Sequence, residues 1–414
     1  MAETLTMSRA NSALKTLFPQ KRIEQIGWED QPFMKWVTSK TDFYGRNLEL
    51  PVRIGPHAGA TNGFGEAQAM KGSSNYTHFT LTRKKKYIVI SFDNEALEAS
   101  ERDVGAYMNF KELEMEGAFQ GINMQTAADM QGNGSGRIAT VVSVDAGANT
   151  MVVDEAGITR FEKDMRFVSF ASNTYGATAT STGPKGYMVV SAVDPDTNTV
   201  TLDTTKGDTI AQDGVDATTD KYLAVWGSVG NAIFGTQAWV PIDRSVLATP
   251  FAGVTRSQYS SRLGGCYYDG SACGSVMEAL ERASARGRKE ASKFEVAWVN
   301  HNRFQDVSIE LGARAVREPY KVGNFAYDSI KFSTGGREVR LMADHNFADN
   351  DCLMANKASW RFHTLKAAPR MLGKGGQGDL ILEPAADGWE SRIGWYGEME
   401  CLAPIDNVRV VLPV

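Results

Sequence analysis

Between Asp93 and about Met130 the apolar residues Leu97, Val104, Met108, Met115, Phe119 and Ile122 recur at intervals of seven, four, seven, four and three. At about 100° per residue they fall within roughly a 60° sector, which predicts one long helix with a single narrow buried stripe. Asp93 and Asn94 offer acceptors to the free amides of the first turn, Glu95 and Glu98 suit the positive helix end, and Gly132 opens a glycine-rich stop. At about 1.5 Å per residue such a helix is roughly 57 Å long, against a usual length of about 11 to 12 residues. Its interior glycines Gly105, Gly117 and Gly121 cost about 1 kcal/mol each relative to Ala and predict a bend.

The pattern on either side is that of strands. Asn47 to Ile54 and Tyr76 to Phe92 alternate as an outgoing and a returning strand of one ribbon, around a tip from Gly55 to Ser74 rich in Gly and Ala. A two-stranded ribbon is marginal alone in water, so a partner surface is expected. From 137 to 230 helical periodicity vanishes and the chain repeats itself. Val144-Asp145 followed by Asn149-Thr150-Met151-Val152-Val153-Asp154 returns as Val193-Asp194 followed by Asn198-Thr199-Val200-Thr201-Leu202-Asp203. Each copy reads as a hairpin, and with strands near 166–172 and 222–226 they predict a small β-barrel or sandwich.

Residues 231–414 mix both periods. Helices are predicted from Ser275, as cap, to Lys289 and from His301 to Leu311 behind the cap Asn300, with a strand at 294–299 between them. A hairpin follows at 326–333 and 337–343, then strands at 360–365, 393–402 and 408–412. Residues 1–40 carry little strand signal and read as an extended arm, in which Trp28, Phe33 and Trp36 must bury themselves in their own body or on a neighbouring copy.

Charge sharpens this layout. The net charge of −5 argues against a dedicated nucleic-acid binder. Residues 41–92 hold seven bases against three acids, net +4, whereas 93–130 hold nine acids against two bases, net −7. Adjacent segments of opposite sign suggest complementary surfaces, with Arg83, Lys84, Lys85 and Lys86 set against Glu98, Glu101, Glu112 and Glu116. Solvated faces with weak local ion pairs give the same totals. The run Arg83 to Lys86 also guards the aggregation-prone segment Tyr87-Ile88-Val89-Ile90-Ser91-Phe92.

Apolar runs fall short of the roughly 18 residues of a membrane helix, and the first thirty residues lack a signal-peptide apolar region, so a chain made and kept in cytosol is expected. Catalytic and metal signatures are lacking too. The four cysteines form no Cys-x-x-Cys pair and the five histidines no zinc spacing. The acidic loop Asp344 to Asp351 misses the calcium pattern, with Ala348 at a ligand position, and Gly373 to Gly378 lacks a phosphate-loop ending. No enzymatic role, cofactor or metal is expected, and an assembly component accounts best for an arm, an unsupported ribbon and a long acidic helix.

The order of parts resembles the major capsid proteins of tailed bacteriophages with the HK97-type fold. Lys85 to Ser91 running into Asp93-Asn94-Glu95-Ala96-Leu97 looks like the passage from extended loop to spine helix. Val296-Ala297-Trp298-Val299-Asn300 is similar to the strand-to-helix step of the axial domain, and Gly394 to Met399 with Pro404 looks like the closing strands. The resemblance implies an α+β, HK97-like fold: an N-terminal arm (1–40), an extended loop (41–92), a spine helix (93–136), an inserted all-β domain (137–230) and the axial domain with the remaining peripheral strands (231–414). It further implies hexamers and pentamers in an icosahedral shell around double-stranded DNA, assembled in the host cytoplasm, with a portal protein and separate scaffolding and decoration proteins as candidate partners. Trp28, Phe33, Trp36 and the charged residues named above are then expected at contacts between subunits. An encapsulin-like compartment shell, or a carbohydrate-binding β protein suggested by the Thr-rich repeat, remains an alternative.

Overall fold

The computed structural model describes residues 31–57, 59–95, 110–312, 316–322, 325–334, 337–372, 380–383 and 387–413. These form two compact units. One holds the described residues among 1–31, 85–126 and 364–396; the other holds 32–84, 127–363 and 397–414.

In the larger unit, strand β1 (Thr38–Lys40) is followed by the ribbon β2 (Asn47–Gly55) and β3 (Asn75–Thr82), antiparallel with Leu50 opposite Phe79. Next, β5 (Arg137–Asp145), β6 (Thr150–Val153), β7 (Arg166–Phe170), β8 (Met188–Asp194), β9 (Thr199–Leu202) and β10 (Tyr222–Val225) close a barrel in the order β10-β5-β6-β9-β8-β7. Its core is built of inward residues such as Ile138, Val141, Met151, Val153, Phe167, Met188, Val200 and Leu223. The sequence repeat is a repeat of structure: Val144 pairs with Met151 across β5 and β6, and Val193 with Val200 across β8 and β9. Met151 then faces Val200, so the two copies join edge to edge.

The same unit contains a sheet of seven strands in the order β11-β21-β16-β12-β15-β14-β13. Its members are β11 (Cys266–Asp269), β12 (Val296–Val299), β13 (Val316–Val322), β14 (Phe325–Thr334), β15 (Arg337–Ala343), β16 (Asp351–Ala355) and β21 (Val408–Val411). Central β12 is buried along its whole length, as expected of a strand covered on both faces. Ala297 and Val299 share a core with the helix Val276–Lys289, while Trp298 points the other way onto Phe33 and Trp36. Ser275 Oγ caps that helix by accepting from Glu278 N at 3.2 Å, and Asn300 Oδ1 caps the helix His301–Leu311 by accepting from Asn302 N at 3.1 Å. Gly287 lets the first helix press on the sheet, since a Cβ there would meet Val408 Cγ2 at 2.6 Å. In β17 (Trp360–Thr364), parallel to β1, Trp360 Nε1 donates to Asn407 Oδ1 at 2.9 Å.

In the smaller unit, β4 (Lys84–Asp93), which starts at its boundary, pairs with β20 (Gly388–Cys401), and so do β18 (Arg370–Met371) and β19 (Ile381–Leu382). The expected single returning strand from Tyr76 to Phe92 is therefore two strands, with Arg83 between them and different partners for each half. Glycine makes the close approach of β20 to β4 possible: a Cβ on Gly394 would lie 2.4 Å from Lys86 O, and one on Gly388 2.5 Å from Phe92 O.

The predicted long helix is described as Phe110–Gln131; residues 96–109, with Leu97, Val104 and Met108, lie outside the described residues. At the end of β4, Asp93 Oδ1 accepts from Glu95 N at 3.0 Å. Met115 and Ile122 are buried and Phe119 is half-buried. The last turn departs from the narrow stripe, because Thr126 to Gln131 are all buried. Its carbonyl end meets Gly235, where a Cβ would stand 2.4 Å from Asp129 O.

Candidate assembly surface

The ribbon is held by its own unit, contrary to the expectation that it lacks support. Alternation puts Leu50, Phe79 and Leu81 inward, and Phe79 packs edge-on against Trp239 at 5.2 Å and Phe251 at 6.2 Å. Backbone bonds add to this: Thr80 N donates to Ala252 O at 2.9 Å, and Arg262 Nη1 donates to Ile54 O at 2.7 Å. The segment 236–262 supplies this floor, which nothing in the alternation of the ribbon itself announced.

The tip is different. Its short helix Phe64–Ala69 buries no residue, Phe64 is 82% exposed, and Met70 and Tyr76 are also open. Three large apolar groups are thus open to solvent within or beside this one stretch of the ribbon.

The basic run divides. Arg83 Nη1 donates to Phe43 O at 3.0 Å and Gly45 O at 3.2 Å, with its guanidinium 5.6 Å from the Phe43 ring centre. Lys84 Nζ donates to Gly230 O at 3.4 Å and lies over the Phe234 ring. Within the chain, the charged groups of these two thus lie over aromatic rings and are met by backbone carbonyls. Lys85 is exposed and Lys86 half-buried. Of the acidic partners, Glu116 is exposed on its helix. The side chains of Glu98, Glu101 and Glu112, and Trp28, lie outside what is described.

Phe33 and Trp36 bury themselves in the chain's own body, the first of the two expected outcomes. Both are fully buried, in an aromatic cluster with Trp298, Phe347 and Trp360, and Phe33 N donates to Asp344 Oδ2 at 3.0 Å. Burial of two such rings is worth several kcal/mol, and the covering surface is the back of β12.

Sequence reasoning missed a set of buried charges. Arg409 and Asp351, both wholly buried, form an ion pair. Arg409 Nη1 also donates to Thr236 Oγ1 at 3.0 Å, and that hydroxyl donates to Gln131 Oε1 at 2.9 Å. Glu398 Oε1 accepts from Phe234 N at 2.7 Å and Met399 N at 3.0 Å. Burial pushes the Glu398 carboxyl up to about 8, against the opposing pull of those amides and of Lys84. His363 stands between Asp42, 2.5 Å from Nδ1, and Glu400. Burial pulls its imidazole down, but the two carboxylates outweigh it and hold it above the ordinary value. No signal short of the fold marks these residues, because the hydrogen-bond partners of Arg409 are 58 or more positions away and Glu398 draws Phe234 N from 164 positions away.

These groups are tied into the fold and do not converge on an open reaction centre. Among the described residues no group of His, Cys, Asp and Glu is placed to hold a metal ion, and no helix is long and apolar enough to cross a membrane. Asp344 and Asp351, at the ends of the loop considered for calcium, instead accept from Phe33 N and pair with Arg409.

The described elements form a mixed α+β fold, and this fold is shared with a solved phage capsid chain. The chain is similar over 95% of its length to 95% of a chain of the Cyanophage A-1(L) capsid asymmetric unit, with TM-score 0.52 and 9% identity. Looser likenesses are to the capsid of the native GTA particle (TM-score 0.48, 6% identity, 96% of both chains) and to the holo-SrpI encapsulin complex of Synechococcus elongatus PCC 7942 (TM-score 0.47, 6% identity, 99% of this chain and 96% of that one). No family model matches the chain, and no curated protein does.

Proposed function

We propose that this chain is a structural subunit that self-assembles, as hexamers and pentamers, into the icosahedral shell enclosing the double-stranded DNA of a tailed phage. The observation that carries this reading is the shared fold with a cyanophage capsid chain across 95% of both. The HK97-type layout of arm, extended loop, spine helix and inserted β domain is part of the same proposal, and the closed barrel at 137–225 supports its last element. Contacts between subunits fall to the open groups: Phe64, Met70 and Tyr76 at the ribbon tip, and Lys85 facing carboxylates such as Glu116. The portal, scaffolding and decoration partners, and assembly in the host cytoplasm, belong to this reading. DNA contact is through charge alone, without sequence readout.

Sedimentation velocity of the purified protein over a range of concentrations tests it, together with nuclease treatment of particles from infected cells. Closed particles holding nuclease-resistant DNA are expected. Particles that hold protein cargo and no DNA would instead favour a compartment shell, and a chain monomeric at every concentration would overturn both.

A further inference from the structure

The barrel carries an aromatic surface that shell formation does not explain. Trp226, just past β10, is 52% exposed, and Tyr187, just before β8, lies beside it with ring centres 5.0 Å apart and planes at 47°. Arg166, at the start of β7 between them, places its guanidinium 4.8 Å from the Tyr187 ring centre and 6.0 Å from that of Trp226. Strand order puts the three in a row, since β7 has β10 on one side and β8 on the other, and Trp226 N donates to Arg166 O at 3.0 Å.

Two details keep this row open. Gly186 precedes Tyr187 and Gly227 follows Trp226, with φ of 70° and 83°, and a Cβ on either would meet nothing within 4 Å. Each ring is thus flanked on one side by a residue that adds no side chain beside it. A tilted pair of wide rings, stiffened from one side by a guanidinium, is a preformed surface for a flat-faced ligand.

The charges nearby select among such ligands. Lys206 pairs with Asp164 at 2.7 Å, and Lys185 Nζ donates to Thr205 O at 2.8 Å and Gly207 O at 3.1 Å. These cations are already met within the barrel, whereas binding of single-stranded nucleic acid requires a positive groove along the phosphates beside its stacking rings. A sugar ring needs only the stacking face, against which its axial C–H bonds pack, and a few polar groups at the edge for its hydroxyls. We propose that Trp226, Tyr187 and Arg166 form a binding platform for neutral pyranose oligosaccharides.

Isothermal titration of the full chain with maltohexaose, cellohexaose and chitohexaose, each to about 10 mM, tests this beside oligodeoxythymidine of equal length. Saturable binding of at least one sugar is expected, with roughly tenfold or greater weakening in Trp226→Ala, equal to about 1.4 kcal/mol. Trp226→Phe should retain most of the affinity and Tyr187→Ala should lose it. Heat capacity melts of each variant separate lost binding from lost folding. No sugar binding by the folded wild-type chain, sugar binding indifferent to both alanine variants, or tighter binding of the oligonucleotide would each overturn the proposal.

Discussion

Asn149 and Asn198 occupy the same position in two copies of one hairpin and hold the same left-handed backbone, with φ of 52° and 54°. An L residue with a Cβ pays about 1–2 kcal/mol there, and Asn pays least after Gly. Asn149→Gly and Asn198→Gly are therefore expected to keep or raise the urea midpoint. Asn→Val at either position should lower stability by about 1–2 kcal/mol. Equal midpoints for Gly and Val would contradict a conformational role.

Removing one partner of the Arg409–Asp351 pair leaves a charge buried with too few acceptors. Asp351→Ala should cost about 3–5 kcal/mol, measured by chemical denaturation. Replacing both residues by apolar ones of similar volume should recover much of that loss.

Glu398 makes stability depend on pH in a defined direction. Its carboxyl moves from an ordinary 4.5 to about 8 on burial, so between these values the folded chain keeps a proton that the unfolded chain has released. Stability from this group is complete below 4.5 and is lost as pH rises through 8, at no more than about 1.4 kcal/mol per pH unit. Glu398→Gln should remove that slope, so the variant gains on the wild type from pH 5 to 8. Unfolding midpoints at several pH values read this directly, and parallel curves would exclude the assignment.

The divided basic run predicts divided phenotypes. Arg83→Ser loses two bonds to carbonyls and should lower stability by about 1–3 kcal/mol. Lys85→Ser should leave the unfolding midpoint within about 0.5 kcal/mol while slowing assembly, followed by light scattering. Changing all four residues of the run should impair both.

Much of this was legible along the chain. Capped, amphipathic segments such as His301–Leu311 announce themselves, because the cap Asn300 and the period act over a few residues. The repeated hairpin was legible for the same reason. The strands β11, β13 and β16 were not: Asp351–Ala355 is buried at every position, so it shows no alternation against which to read it. Nor does local pattern say what covers a ring. Phe33 and Trp36 read as seeking a surface, and only the three-dimensional return of β12 supplies it. The break at Arg83 was hidden because strand propensity continues through it while the pairing partner changes.

The central claim is closed self-assembly, and cryo-electron microscopy of the purified, concentrated protein tests it most directly. The account predicts closed icosahedral shells built of pentamers and hexamers, with the ribbon tip around Phe64 seated on a neighbouring subunit. A population of dispersed monomers under conditions where the chain is folded, with the tip left in solvent, would contradict it.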